Sequence, residues 1–139
     1  MLAGFPLVPS VAPHATIRGV RPTVLIVDDH PGFRRSAHRM LSAEGFEVLG
    51  ESADGASVIE RVRALRPQLV LLDVLLPDLD GFAVAELLAQ EPSPPRVVLT
   101  SSRDAGDYAT RLRGSSAVGF VGKAELSGAR LAALMGLSS

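Results

Sequence analysis

Leu69-Val70-Leu71-Leu72 runs without a break into Asp73, and Val74-Leu75-Leu76-Pro77 follows before a turn at Asp78-Leu79-Asp80-Gly81. Four consecutive aliphatic residues have no polar face. A short run of this kind reads as a strand covered on both sides, the situation of a parallel sheet with helices packed on each face. Outward from this stretch, the segments 23–27 and 97–100 have the same character, and 46–50 and 118–121 read as further strands. Segments of helical period lie between them, at 32–44, 56–65, 82–89, 104–113 and 125–135. The first of these carries Phe33, Ala37, Met40 and Leu41 on one face, an apolar stripe of helical spacing. Five strands alternating with five helices predict an α/β fold with a doubly wound parallel sheet. The proline-rich stretch 91–95 is a connection, because proline blocks helix there.

Bulk properties narrow the function. The 139 residues make about one domain, and an apolar fraction of 47% with 21% charged residues is that of a globular protein. The formal net charge of -1 gives no electrostatic footprint for direct nucleic-acid binding. There is no cysteine, which excludes disulfides, thiolate metal sites and a cysteine nucleophile. No apolar run approaches the roughly 20 residues needed to span a bilayer, so no membrane partner is expected. Residues 1–22 differ from the rest. They hold Pro6, Pro9, Pro13 and Pro22, no acid, and no Lys or Arg before Arg18, which is unlike a signal peptide. Their composition is that of a disordered tail preceding a domain over 23–137.

The strand ends carry the chemistry. The first strand runs into Asp28 and Asp29, the third ends at Asp73, the fourth at Thr100, and the fifth is followed by Lys123. In a parallel sheet all carboxyl ends lie on one edge, where open α/β sheets bind ligands. With strand order 2-1-3-4-5, the first and third strands flank the switch-point crevice and the three carboxylates share it. Two carboxylates about 4 Å apart repel by roughly 4 kcal/mol at an effective dielectric near 20, so such a cluster calls for a cation. Hard oxygen donors suit Mg²⁺, which keeps waters for a phosphate. Softer metals call for His or Cys ligands, and His30 is the only histidine near the crevice. The competing reading of Asp28 and Asp29 is helix capping, since acids favour a helix N-terminus. Asp73 follows an apolar strand and precedes Val74, which is no ordinary place for a surface acid. Lys123 is the only lysine against 13 arginines. A compact ammonium suits a point contact to phosphate or carboxylate where a guanidinium fork does not fit.

The motifs VLIVDDHPGFR, LVLLDVLLPDLDGF, VVLTSS and GFVGKAEL resemble the receiver domains of bacterial two-component response regulators, over about residues 23–135. The resemblance implies a flavodoxin-like fold. It implies that Asp73 accepts a phosphoryl group from a sensor histidine kinase. Asp28, Asp29 and Asp73 would hold Mg²⁺, and the backbone carbonyl of Leu75 would complete the protein ligands. Thr100 would hydrogen-bond a phosphate oxygen, Lys123 would pair with another, and Phe120 matches the aromatic position that turns inward when Thr100 moves. The activity implied is self-phosphorylation followed by slow hydrolysis, not catalysis on a separate substrate. The location implied is cytoplasmic. The partners are the kinase and a downstream protein of unknown identity, with a phosphorylation-dependent homodimer as a further candidate. Two other classes fit the same residues: an interaction module that works without phosphorylation, and the receiver half of a longer DNA-binding regulator.

Other conspicuous residues have plainer readings. The Asp78-Leu79-Asp80-Gly81 string also resembles the phosphatases of the haloacid-dehalogenase type, but there the first Asp ends a strand directly and here Pro77 precedes it. His14 and His38 read as solvated, Tyr108 as a surface or core residue of the fourth helix, and Arg34, Arg35 and Arg39 as a solvated helical face. The chain departs from the family in three places. Ala124 stands where proline is common after the lysine, and a cis bond there would cost about 3 kcal/mol. Gly106 and Gly114 weaken the fourth helix by about 1 kcal/mol each against alanine, which predicts a mobile face around it. Leu75 is apolar and Ser102 small at positions that flank the phosphoryl site.

Overall fold

The computed structural model describes residues 21–137. The expected tail over 1–22 therefore lies outside the described residues except for Arg21 and Pro22. Within them, β1 (Thr23–Val27), β2 (Glu47–Ser52), β3 (Leu69–Asp73), β4 (Arg96–Ser101) and β5 (Gly119–Gly122) form one sheet in the order β2-β1-β3-β4-β5, every pairing parallel. The helices are α1 (Pro31–Ala43), α2 (Val58–Leu65), α3 (Gly81–Ala89), α4 (Ala109–Arg113) and α5 (Gly128–Leu134). The expected doubly wound sheet is thus the observed one.

The apolar strands feed two cores at once, which is why they lack a polar face. Leu25, Val27, Val70, Leu72, Val97 and Leu99 pack with Val58, Val62, Val84, Ala85 and Leu88 on one side. Val24, Ile26, Leu69, Leu71 and Val98 pack with Ala37, Leu41, Leu131 and Ala132 on the other. Alternate residues of each strand go to opposite sides, as the period of two requires. Each fully buried Leu, Val or Ile is worth about 1.5–3 kcal/mol, so the central strands anchor the sheet edge that carries the polar residues.

Two helices begin or break differently from the sequence expectation. The segment 104–113 is not one helix. A 3-10 turn over Ala105–Tyr108, held by an Asp107 N–H to Asp104 carbonyl bond of 3.0 Å, precedes the five-residue α4. The tighter turn carries Tyr108 into the core, while none of the α4 residues is buried. Gly106 weakens a continuous helix there and burial of the tyrosine favours the alternative. The last helix begins at Gly128 rather than near residue 125. Lys123–Glu125 form a separate 3-10 turn, Leu126 is extended, and the Ser127 side chain caps α5 by accepting from the Arg130 N–H at 3.1 Å. Every described peptide bond is trans, including that between Lys123 and Ala124.

Candidate functional site

The polar strand ends converge as the topology requires. Asp73 and Thr100 are register partners across β3 and β4, and Ser101 pairs with Gly122 just before Lys123. Asp28 follows β1, the neighbour of β3 on the other side. Asp28 and Thr100 are fully buried and Asp73 nearly so, whereas Leu75 stands 56% exposed beside them. The sequence-predicted residues Asp28, Asp29, Asp73, Thr100 and Lys123 thus share one edge. Leu75 joins them through its N–H, which donates to Asp73 Oδ1 at 3.1 Å. Phe120 lies on β5 one step further out, half-buried against Tyr108.

Lys123 ties the acids together. Its Nζ lies 2.6 Å from Asp28 Oδ2 and 3.3 Å from Asp73 Oδ2, with its ammonium 4.5 Å from the centre of the Phe33 ring. Phe33 comes from α1, so the apolar stripe of that helix also supplies the platform under the lysine. Burial opposes the Asp28 charge, but the Lys123 ammonium and the His30 N–H hold its carboxyl below the usual carboxylate range. At Asp73 burial wins, assisted by the charge on Asp28, and the carboxyl is pushed up despite the Leu75 N–H and Lys123. Burial opposes the Lys123 charge as well, yet the two carboxylates keep it above the ordinary lysine range.

Among the described residues, three buried side-chain oxygens have no hydrogen-bond partner: Asp28 Oδ2, Asp29 Oδ1 and Thr100 Oγ1. The Lys123 contact to Asp28 Oδ2 is an ion pair without hydrogen-bond alignment. Asp28 Oδ2 and Asp29 Oδ1 still lie against Lys123 Nζ and His30 Nδ1, whereas Thr100 Oγ1 has no partner, a state that costs about 1–3 kcal/mol and calls for a ligand. One ligand atom from each of Asp28, Asp29, His30 and Asp73 falls within 4.8 Å of the others. The carboxylate oxygens are a donor set that fits a hard divalent cation.

The capping reading of Asp28 and Asp29 fails, because His30 occupies the N-cap of α1 and Pro31 its first turn. Asp28 Oδ1 instead accepts from the His30 N–H at 2.8 Å and lies 3.0 Å from its Nδ1. The turn before α3 is as expected. Asp80 caps α3 by accepting from the Phe82 N–H at 2.7 Å, and Asp78 accepts from the N–H groups of Gly55 and Ala56 at 2.8 and 2.9 Å. Gly81 is required here, since a Cβ would strike the carbonyl oxygen of Asp73.

Several residues near the site do more than their sequence readings. Arg34 is not a solvated face residue. Its Nε donates to Glu51 Oε1 at 3.0 Å and its guanidinium to the Asp28 carbonyl at 2.6 Å. His38 pairs with Glu51 Oε2 at 2.8 Å. Tyr108 sits between Phe82 and Phe120, each ring 5.9 Å away, with its hydroxyl 3.2 Å from Ser101 Oγ. It therefore joins the end of β4 to the aromatic of β5. Only an aromatic in a weak helical segment marked it in the sequence.

Comparison with known proteins agrees with this geometry. Residues 24–134 match the family described as response regulator receiver domain. The chain is 39% identical over 102 residues to BvgA of Bordetella pertussis, described as a transcription regulator of virulence factors, covering 73% of this chain and 49% of that protein. It is 44% identical over 80 residues to a protein-glutamate methylesterase/protein-glutamine glutaminase of Myxococcus xanthus, covering 57% of this chain and 23% of that one. The chain thus spans half or less of the length of these relatives. Among solved structures, the signal receiver domain of the response regulator NarL from Mycobacterium tuberculosis superposes with a TM-score of 0.75 at 34% identity, covering 84% of this chain and 98% of that one. Sheet order, strand-end chemistry and these matches agree: the chain belongs to the response regulator receiver domain family of two-component systems.

Proposed function

We propose that the chain is a phosphoacceptor, in which a carboxylate oxygen of Asp73 attacks the phosphorus of a phosphohistidine on a sensor histidine kinase. The P–O bond to Asp73 forms as the P–N bond breaks, and the imidazole leaves. Water later cleaves the acyl phosphate and regenerates the carboxylate. The observation that carries the reading is the unpartnered, fully buried Thr100 hydroxyl directly across the ladder from Asp73. A hydroxyl so placed has a hydrogen bond to give to an oxygen arriving on Asp73. The Lys123 ammonium, 3.3 Å from Asp73 Oδ2, neutralises a second. Asp28, Asp29, Asp73 and the Leu75 carbonyl would hold Mg²⁺, which when bound neutralises charge on the phosphoryl oxygens. Asp73 in its carboxylate form needs no general base; burial raises its carboxyl, and the Lys123 ammonium beside it opposes that shift.

Phe120 is the proposed switch residue, moving with Thr100 so that the phosphoryl state alters the α4–β5–α5 face. The receiver unit spans 23–137. A cytoplasmic location, a kinase partner, a downstream protein and a phosphorylation-dependent homodimer go with this reading. No helix among the described residues is long and apolar enough to cross a membrane. Because the matched stretch is half or less of each relative, a second reading is the receiver portion of a larger regulator, whose output would then be in cis. The test is incubation with Mg²⁺ and a small-molecule phosphodonor, read by intact mass. One phosphoryl group should add to the wild type and none to Asp73→Asn. No addition, or equal addition to both, defeats the reading.

A further inference from the structure

We infer that His30 is a ligand of the cation held by Asp28, Asp29 and Asp73, and that it turns the site from a magnesium site towards one preferring a first-row transition cation. The inference rests on reading the acidic cluster as a cation site and adds a nitrogen to an otherwise all-oxygen donor set. His30 Nδ1 lies 3.0 Å from Asp28 Oδ1 and 3.2 Å from Asp29 Oδ1, so the ring nitrogen already occupies the space between two carboxylates. Its backbone is fixed there. His30 precedes Pro31, which favours the extended conformation observed (φ -93, ψ 109), and its carbonyl accepts from the Arg34 N–H at 3.1 Å. The side chain is 67% exposed, with its Nδ1 held against the two carboxylates. His38, one helical stretch away, is by contrast occupied with Glu51.

The chemistry separates the cations. Mg²⁺ binds oxygen and gains little from an imidazole. Co²⁺ is nearly the same size and accepts the same octahedral geometry, but stands well up the affinity series for nitrogen donors. A comparison of the two therefore reads ligand type rather than cavity size. By calorimetry, His30→Ala should weaken Co²⁺ binding about tenfold or more and leave Mg²⁺ binding within about twofold. In the Co²⁺-loaded wild type, proton NMR should show a strongly shifted, exchangeable imidazole N–H resonance. That resonance should be absent from His30→Ala and retained in His38→Ala. Equal effects of His30→Ala on both cations, or no shifted imidazole resonance in the wild type, overturn the inference. Phosphoryl addition to Asp73 in Mg²⁺ is read separately. If it proceeds while the Co²⁺ results are negative, only the role of His30 falls; if it fails while Co²⁺ binds through His30, only the phosphoacceptor reading falls.

Discussion

Removing the ammonium of Lys123 while keeping its stem is the most informative perturbation of this site. Lys123→Met preserves the unbranched chain over Phe33 and leaves Asp28 and Asp73 buried without their cation. Their nearest usable oxygens lie within 4.8 Å, so two ionised carboxylates would repel by at least about 3.5 kcal/mol at an effective dielectric near 20. The fold can relieve this by protonating one of them. Taking up a proton at pH 7 against an ordinary Asp value near 3.9 costs about 4 kcal/mol, and at pH 5 only about 1.5 kcal/mol. The smaller of repulsion and protonation sets the penalty. The variant should therefore be about 3.5–4 kcal/mol less stable at pH 7 and about 1.5 kcal/mol less stable at pH 5, in line with the cost of breaking buried ion pairs. The signs agree with linkage. Lys123 is raised in the fold, so its contribution is fully present at both pH values and is lost only as pH rises through its folded value. Asp28 is lowered, so its contribution persists above the unfolded value and is lost as pH falls through the folded one. Urea unfolding in chelator at the two pH values measures the difference, and added Mg²⁺ should narrow it. A penalty below about 1 kcal/mol at pH 7, or one that does not shrink by pH 5, would refute the assignment of Lys123 as the counter-ion of both acids.

Tyr108→Phe removes the hydroxyl facing Ser101 and should cost about 1 kcal/mol in urea unfolding, while Tyr108→Ala, which also empties the space between Phe82 and Phe120, should cost about 3 kcal/mol or more. Hydrogen exchange should find α4 far less protected than α1, since α4 is five residues long with none buried; equal protection would contradict the weak-helix reading. Gly81→Ala drives a Cβ onto the Asp73 backbone and should destabilise by about 2–3 kcal/mol in chemical denaturation. A polar residue in place of the exposed Leu75 should change the lifetime of the phosphoryl group on Asp73, measured as loss of added mass over time; an unchanged half-life would remove Leu75 from the site.

What the sequence determined was whatever depends on local pattern. Runs such as Leu69–Leu72 have to be covered on both faces, and alternate residues do enter opposite cores. Given parallel strands, the polar residues that follow them must meet on one edge, which placed Asp28, Asp73, Thr100 and Lys123 together before any contact was visible. Helix ends were less legible, because local hydrogen bonds compete with helical period. The Ser127 side chain starts α5 three residues later than the pattern suggests, and the burial of Tyr108 breaks the fourth helix. Only the tertiary structure decided which charged groups pair. Lys123 lies closer to Asp28 than to Asp73, and Arg34 reaches the Asp28 carbonyl while sharing Glu51 with His38. It also decided that His30 hangs over the acids and that Tyr108 bridges Ser101 to Phe120. These contacts join residues on different strands and helices, often dozens of positions apart. Their partners are chosen by distances across the sheet, and sequence periodicity carries no record of those distances.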